Sequence, residues 1–218
     1  MMEPRQILAM AAVLASVASA SAAQSGSGVV PFAPTQPGAM PADFQLARTG
    51  RGAPAAWSVV ADSKSQGGQV LIQTSTDQTD YRFPLAIYGG VTAANVEVTV
   101  RFKAVNGRID RAGGIAVRLA DPDNYYVLRA NALEDNVNFY RVVQGSRREI
   151  HGVSAKVTSD QWHNLSLRAE GDRFTVGFDG VTLFTATDRT FSGAGKVALW
   201  TKADSVTQFD RLTIRALP

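Results

Sequence analysis

A small set of polar and aromatic side chains in this sequence could bind a ligand through directed contacts. Guanidinium and amide groups form directional hydrogen bonds with hydroxyls or carboxylates, and aromatic rings offer flat faces to CH groups. Strand alternation predicts that Arg118, Arg129 and Tyr140 meet on one exposed, concave surface. It also predicts that Trp200 and Lys202 face outward together from a later strand. The predicted binding residues are Arg118, Arg129, Asn131, Asn136, Tyr140, Trp200 and Lys202.

Acid–base chemistry has fewer candidates. Glycosidases cleave between two carboxyl groups, about 5–5.5 Å apart in retaining enzymes and farther apart in inverting ones. After residue 23 the glutamates are Glu97, Glu134, Glu149 and Glu170, and no Glu-x-Asp-x-x-Glu array occurs. Glu134, with Asp135 or Asp204 as its partner, is the acid/base pair that the sequence offers. Glu134 and Asp204 are therefore the predicted catalytic residues.

A structural calcium ion is the one cofactor that the sequence suggests. Calcium takes carboxylate and carbonyl oxygens from loops, and Asp210 lies near the last predicted strand. The turn at 121–123 holds two further aspartates. No set of ligands of the required number is evident, so Asp210 is the single predicted metal residue.

Each candidate also has a purely structural interpretation. An arginine on the solvent face of a strand commonly pairs with a cross-strand acid or is simply solvated. Asn131, Glu134 and Asn136 crowd into one short connection, and turn chemistry alone explains amides and acids there. Trp200 could cover the core beneath a loop, as large aromatic residues commonly do. Arg141 breaks the apolar alternation of its strand, which predicts either a strand end or a bulge.

The elements that must position these residues are β-strands. Period-two alternation with Gly, Asn and Asp punctuation runs from residue 57 onward, and no segment shows helical spacing over three turns. Asp121–Asn124 suits a type I turn with Pro122 in its second position, and Asp179-Gly180 suits a hairpin tip. The pattern predicts an all-β fold, a two-sheet antiparallel sandwich. Predicted strands lie near 69–73, 85–87, 95–103, 114–119, 125–131, 137–143, 148–150, 162–169, 173–178, 182–187, 195–201 and 207–215.

Composition limits the partners. The chain has 218 residues, 45% of them hydrophobic, which suffices for one sizeable core. The net charge is +3 with acids and bases intermixed, so no basic block predicts a nucleic-acid partner. Cysteine is absent, which excludes disulfides, thiolate metal sites and cysteine nucleophiles.

The N-terminal residues have the pattern of an export signal. Arg5 precedes an apolar run and then small residues that satisfy a small-x-small cleavage rule, which predicts a signal peptide over residues 1–23. The run is too short to span a bilayer, so no membrane span is expected after cleavage. A Gly/Ser/Pro-rich stretch predicts a flexible linker over 24–42, followed by the β-sandwich domain over 43–218. The predicted location is periplasmic or secreted.

A resemblance adds to this interpretation. The order of Gly114-Ile115 with Arg118, then Tyr125-Tyr126, Gly171-Asp172-Arg173-Phe174, and Gly195 to Trp200 resembles concanavalin A-like or laminin-G-like jelly-roll domains. Within that superfamily the chain is most similar to bacterial 3-keto-disaccharide hydrolase domains. The resemblance implies a jelly-roll fold and a carbohydrate-related role, but the same sandwich hosts both binding modules and enzymes.

Three functions follow from the sequence. The first is carbohydrate recognition, with a glycan or modified sugar as the partner. The second is hydrolysis of 3-keto-glycosides or related disaccharides, with Glu134 or Asp204 as the base. The third is a structural or adhesion sandwich that binds another protein. Recognition is favoured because it needs only the side chains that are present, whereas hydrolysis needs a convincing carboxylate pair.

Overall fold

The computed structural model describes residues 27–32 and 35–218, and their regular structure consists of β-strands. Within these ranges no helix is long and apolar enough to cross a membrane. The strands are β1 Ser27–Val30, β2 Phe44–Gly50, β3 Trp57–Ala61, β4 Gln69–Gln73, β5 Arg82–Ala93, β6 Val96–Asn106, β7 Ala112–Asp121, β8 Asn124–Asn131, β9 Asn136–Val143, β10 Ser146–Ser154, β11 Trp162–Glu170, β12 Arg173–Phe178, β13 Val181–Thr187, β14 Gly195–Trp200 and β15 Val206–Ala216.

The strands form two antiparallel sheets. One has eight strands in the order β13-β12-β11-β6-β15-β4-β3, with β1 also paired to β15. The other has seven strands in the order β10-β9-β8-β7-β14-β5-β2. This arrangement confirms the all-β, two-sheet antiparallel sandwich. Short connections such as Asp179-Gly180 are hairpin tips, and both of these residues have positive φ, as a two-residue type I′ turn requires.

The main core lies between the two sheets and follows strict alternation. Val98, Val100 and Phe102 of β6 belong to it together with Tyr126 and Leu128 of β8, and all five are fully buried. Burying each such side chain stabilises the fold by roughly 1.5–3 kcal/mol. The alternation predicted for β8 is confirmed, because the residues that alternate with Tyr126 and Leu128 lie in a different apolar cluster.

That different cluster covers the outer face of the seven-stranded sheet, so this sheet is buried on both sides. Trp200 and Phe83 form its centre with ring centroids 5.3 Å apart, and both are fully buried. Gly114 makes room for the indole, because a Cβ there would lie 3.2 Å from a Trp200 ring atom and 2.6 Å from a backbone oxygen. The remaining members of the cluster are Leu85, Ile87, Ala112, Ala116, Leu119, Tyr125, Val127, Tyr140, Val142 and Ala198.

The N-terminal boundary at residue 43 needs correction. Ser27–Val30, inside the predicted flexible linker, pairs with β15 over four residues. Val30 and Phe32 are 7% and 4% exposed and belong to the main core. Apolar residues in this Gly/Pro-rich stretch thus contribute a strand to the sandwich, and the folded domain begins before residue 43. The predicted signal peptide lies outside the described residues.

Candidate functional site

Five alternating charges form a continuous line over the outer face of the seven-stranded sheet. Lys202 Nζ lies 2.5 Å from Asp80 Oδ1 and 3.1 Å from Asp110 Oδ2. Arg129 Nη1 lies 3.7 Å from the same Asp110 oxygen, and its Nη2 lies 2.6 Å from Glu134 Oε2. The three central residues are buried, whereas the end carboxylates of Asp80 and Glu134 are 72% and 47% exposed. The line therefore joins a buried ion network to solvent at both ends.

The two kinds of carboxylate in this line differ in pKa. Burial raises the pKa of Asp110, although Arg129 and Lys202 oppose that rise. Partial burial also acts to raise the pKa of Glu134, but hydrogen bonds from Asn136 and Arg129 outweigh it and hold that pKa below its usual value. Glu134 is thus an ionised hydrogen-bond acceptor at neutral pH.

Hydrogen bonds from other parts of the chain hold Asp110, the central aspartate of the line, in place. Asp204 accepts hydrogen bonds from the backbone N–H groups of Arg108, Ile109 and Asp110, at 2.7–3.2 Å, and so fixes the loop before β7. Asn131 Nδ2 donates to Asp110 Oδ1 at 3.2 Å. The buried network is therefore tied to β8 and to the segment after β14, which lie far apart in the sequence.

Aromatic rings and an arginine form the floor beside this line. The guanidinium of Arg147 lies 4.6 Å from the Tyr140 ring, 4.8 Å from the Phe83 ring and 5.8 Å from the Trp200 ring. Asn138 Nδ2 donates to Tyr140 Oη at 3.0 Å. We call the surface formed by Asp80, Asp110, Arg129, Glu134, Asn138, Tyr140, Arg147, Glu149 and Lys202 the outer-face site.

Most of the predicted binding residues meet at this surface. Arg129 lies 5.5 Å from the Tyr140 ring, and its Nη2 donates to Asn136 Oδ1 at 3.0 Å. Asn131 and Lys202 both contact Asp110, which joins them to the same network. The structure thus brings together Arg129, Asn131, Glu134, Asn136, Tyr140 and Lys202.

Arg118 does not belong to this site, which corrects the predicted meeting of Arg118 with Arg129 and Tyr140. Its backbone is left-handed (φ 50°), where the pairing of β7 with β8 shifts register. Its guanidinium donates to the backbone oxygens of Ala94, Phe191 and Gly171 at 2.5–2.7 Å. All three nitrogens are thus occupied by main chain, so Arg118 joins loops at another part of the sandwich.

Trp200 faces outward as predicted, but it is not the exposed platform that the sequence suggested. It is fully buried, and its Nε1 donates to Tyr125 Oη at 3.3 Å. Phe83 and Arg147 also contact its indole ring. Lys202 is only 8% exposed and is paired with acids of two loops. Their burial depends on contacts with residues distant in the sequence, which alternation alone does not reveal.

The predicted catalytic and metal residues have structural partners. Both oxygens of Asp204 accept backbone N–H groups, which hold its pKa below the usual value against the opposing effect of burial. Asp210 Oδ2 accepts from Arg101 Nη1 and from the Gln66 N–H. A carboxylate paired with a guanidinium does not fit a calcium ligand set. Among the described residues, no group of three acids or histidines could hold a metal.

Several residues of the outer-face site were missed by the sequence analysis. Asp80 and Asp110 lie in loops and have no local pattern, since they meet Lys202 only through the fold. Arg147 had a weak signal, because it follows the turn residues Gln144-Gly145 in an alternating segment. Arg141 lies within β9, and β9 pairs with β8 without a register shift. Its side chain reaches Asp188 at the edge of the sandwich.

Two packed antiparallel sheets, one of them buried on both faces, place the protein in the class of concanavalin A-like sandwiches. The family model for the C-terminal lectin domain of galactocerebrosidase matches residues 69–217. The chain therefore belongs to this lectin-domain family. No curated protein matches the chain by sequence. Membership in the 3-keto-disaccharide hydrolase family stays a prediction.

Solved structures share the fold at low sequence identity. The carbohydrate-binding module CBM66 from Bacillus subtilis has a TM-score of 0.64 and 19% identity, covering 82% of this chain and 99% of the module. A B. subtilis protein of unknown function with a galectin-like fold has a TM-score of 0.56 and 11% identity, covering 79% and 89%. Domain 4 of an extracellular arabinanase from Geobacillus stearothermophilus, in complex with arabinotriose, has a TM-score of 0.52 and 16% identity, covering 78% and 82%.

Proposed function

We propose that this lectin-family domain binds a glycan at the outer-face site. The observation that carries the proposal is the line of charges whose centre is buried and whose two ends, Asp80 and Glu134, are exposed. A buried network that ends in exposed carboxylates holds those carboxylates in fixed positions, so a ligand loses little of its binding energy in ordering them.

The chemistry of the site suits sugar hydroxyls. A hydroxyl donates one hydrogen bond and accepts others, so it can bridge a carboxylate acceptor and an amide or guanidinium donor. Glu134 beside Asn136, and Glu149 beside Asn138, are two such acceptor–donor pairs at 2.9 Å. Arg147, whose guanidinium lies 4.6 Å from the buried Tyr140 ring, adds a cationic donor beside these pairs.

The similar structures support the same ligand class. One of them is a carbohydrate-binding module, and another is a domain in complex with arabinotriose. The family that the chain belongs to is one of lectin domains. A neutral or weakly charged glycan is therefore the ligand class that we assign to the outer-face site.

Contacts of the two predicted catalytic residues favour binding over hydrolysis. A general acid or base works best with a pKa raised toward the operating pH, whereas the partners of Glu134 and Asp204 lower theirs. Asp204 is also occupied by three backbone N–H groups. Such carboxylates suit hydrogen-bond acceptance and loop capping.

A glycan array with Glu134→Gln tests the proposal. Glu134 is half exposed, so the substitution should leave the fold intact while it weakens binding about tenfold through loss of a charged hydrogen bond. Asp43→Asn is the matched control, because Asp43 is an exposed acid just before β2 and away from the site. Affinity should be unchanged in the control.

Other outcomes would contradict the proposal. Glycan binding that ignores Glu134→Gln would remove the outer-face site, and binding to no glycan would favour the protein-adhesion alternative. Turnover of a 3-keto-glucoside by the wild type, lost in Glu134→Gln, would favour the hydrolase instead.

We further propose that the protein is exported. The support is the signal-like pattern of the first 23 residues and the likeness to a domain of an extracellular arabinanase. Cleavage near residue 23 leaves β1 and its pairing with β15 in the mature protein. N-terminal sequencing of the protein from a periplasmic or medium fraction should find a first residue near Gln24, and a cytoplasmic full-length chain would contradict export.

A further inference from the structure

A second polar cleft lies at the edge of the seven-stranded sheet, away from the outer-face site. Its volume is about 430 Å³, which falls within the range of small-ligand sites. We call it the edge cleft. Its lining residues are Arg141, Val143, Gln144, Ser146, Arg148 and Thr190.

Two arginines lie side by side in this cleft. Arg148 of β10 is the cross-strand partner of Arg141 of β9. Directly opposed residues project to the same side with Cβ atoms about 4.5–5.5 Å apart, and like charges in that position repel. Asp188 already offsets the charge of Arg141, and an anion beside both guanidinium groups would offset that of Arg148.

The acid beside this pair is fully occupied. Asp188 Oδ2 accepts from Arg141 Nη1 at 2.5 Å, and its Oδ1 accepts from Tyr126 Oη at 2.7 Å and the Thr190 N–H at 2.8 Å. Across residues 27–32 and 35–218, no carboxylate lies within ion-pair distance of Arg148. Arg148 is exposed and so offers all its donors to a ligand.

Neutral donors and acceptors complete the cleft. Ser146 and Thr190 supply hydroxyls and Gln144 an amide, all of them exposed. The Gln144-Gly145 turn has positive φ at both residues, and the Gln144 N–H donates to Asn124 Oδ1 at 3.0 Å. The hairpin that carries the two arginines is therefore fixed in shape.

The edge cleft is separate from the outer-face site although both use β10. Arg147 stacks on Tyr140 over the outer face, while Arg148, the next residue, lines the cleft. Successive residues of a strand point to opposite faces, so one strand serves two surfaces. A ligand in the edge cleft therefore has no need of the outer-face residues.

We propose that the edge cleft binds an anionic saccharide, through a carboxylate or a sulfate ester held between Arg141 and Arg148. The planar guanidinium fork matches both groups in geometry and charge. The hydroxyl and amide side chains around it suit the ring hydroxyls of the same sugar.

Titration calorimetry at low ionic strength tests this proposal with matched oligosaccharides of one length. The probes are a uronate oligosaccharide, a sulfated one, a neutral one and inorganic sulfate. At least one of the two anionic oligosaccharides should bind about tenfold more tightly than the neutral one, and whichever binds identifies the anionic group. Arg148→Gln should remove that advantage, and the Ser146 amide should shift in NMR spectra when the ligand binds.

Arg173→Gln is the charge-matched control, because Arg173 is an exposed strand arginine on the other sheet. The proposal fails if Arg148→Gln leaves affinity unchanged, if Arg173→Gln lowers it equally, or if inorganic sulfate binds as tightly as the saccharide. Glu134→Gln separates this proposal from the outer-face site, since it should weaken the neutral glycan and leave edge-cleft binding unaltered.

Discussion

Arg118 and Arg129 are both buried arginines on neighbouring strands of one sheet, yet their environments differ in kind. Arg118 donates to three backbone oxygens and stands 5.1 Å from the Phe174 ring. Arg129 faces Asp110 and Glu134, and the latter carboxylate is half exposed. Each nitrogen of the first guanidinium donates to the main chain, whereas the second is paired with carboxylates, one of which solvent and a ligand can reach.

This contrast separates a structural arginine from a binding one. Residue type and burial are nearly the same, 3% and 2% exposed. The partners distinguish them, because backbone oxygens cannot move to a ligand while an exposed carboxylate can exchange water for a sugar hydroxyl. Identical substitutions at the two positions test this comparison.

Arg118→Met should have the largest effect on stability. It leaves three backbone oxygens without donors, which should lower the free energy of unfolding by about 3 kcal/mol in urea denaturation. Arg189→Gln is the control, since Arg189 is 83% exposed and its removal should change stability by at most about 0.5 kcal/mol. The folded fraction of Arg118→Met should still bind glycan with wild-type affinity, and a loss of affinity would break the comparison.

Arg129→Met should cost less stability but abolish binding. Lys202 still faces Asp110 after the substitution, so we expect a loss of about 2 kcal/mol instead of the full cost of an unpaired buried charge. Glu134 and Asn136 lose their shared donor, so glycan affinity should fall beyond detection on an array. Unchanged affinity would place the binding surface elsewhere.

In an acid titration, the contributions of Asp188 and Asp110 to folding stability should change with pH in opposite directions. Hydrogen bonds from Thr190, Tyr126 and Arg141 outweigh burial and lower the pKa of Asp188, so its stabilising effect is present above pH 3.8 and lost as pH falls through its folded pKa. Burial raises the pKa of Asp110, so its ionisation opposes folding as pH rises from 3.8 to its folded pKa.

Two asparagine substitutions measure these contributions. Asp188→Asn should flatten the loss of stability in acid, whereas Asp110→Asn should make the rise of stability with pH steeper. Unfolding free energies from pH 2.5 to 7 provide the readout. Equal slopes in the two variants would contradict the opposite pKa directions.

Asp80→Asn should have the smallest effect. Its carboxylate is 72% exposed, so the ion pair with Lys202 contributes at most about 1 kcal/mol to stability. Glycan affinity should fall about threefold, because one rim acceptor loses its charge. Calorimetry with the glycan selected on the array measures this change, and an effect larger than that of Glu134→Gln would reverse the assigned importance of the two ends.

Part of this site could be predicted from the sequence. Alternation in β8 placed Arg129 and Asn131 opposite Tyr126 and Leu128, which the two apolar clusters confirm. The turn after β8 brought Glu134 close to Arg129, since the two lie only five positions apart. Asp110 and Lys202 could not be placed, because the loop and the segment that carry them are 92 residues apart.

Local patterns in the sequence were enough to specify strands β4 to β15, most turns and, apart from Arg118, the side of the sheet to which the β7 and β8 residues point, because period-two alternation and turn chemistry are local. Strands β1, β2 and β3 were not among the predicted strands. The local patterns also specified that the face with Arg129 and Tyr140 would be polar and aromatic. Which of those residues solvent reaches was set by the folded structure alone. Side chains from strands β5, β8 and β10 surround the buried Trp200, whereas Glu134 stays half exposed. The register shift beside Arg118 turns it away from the site. The predicted surface differs from the observed one because exposure and register depend on packing between residues that are distant in the sequence.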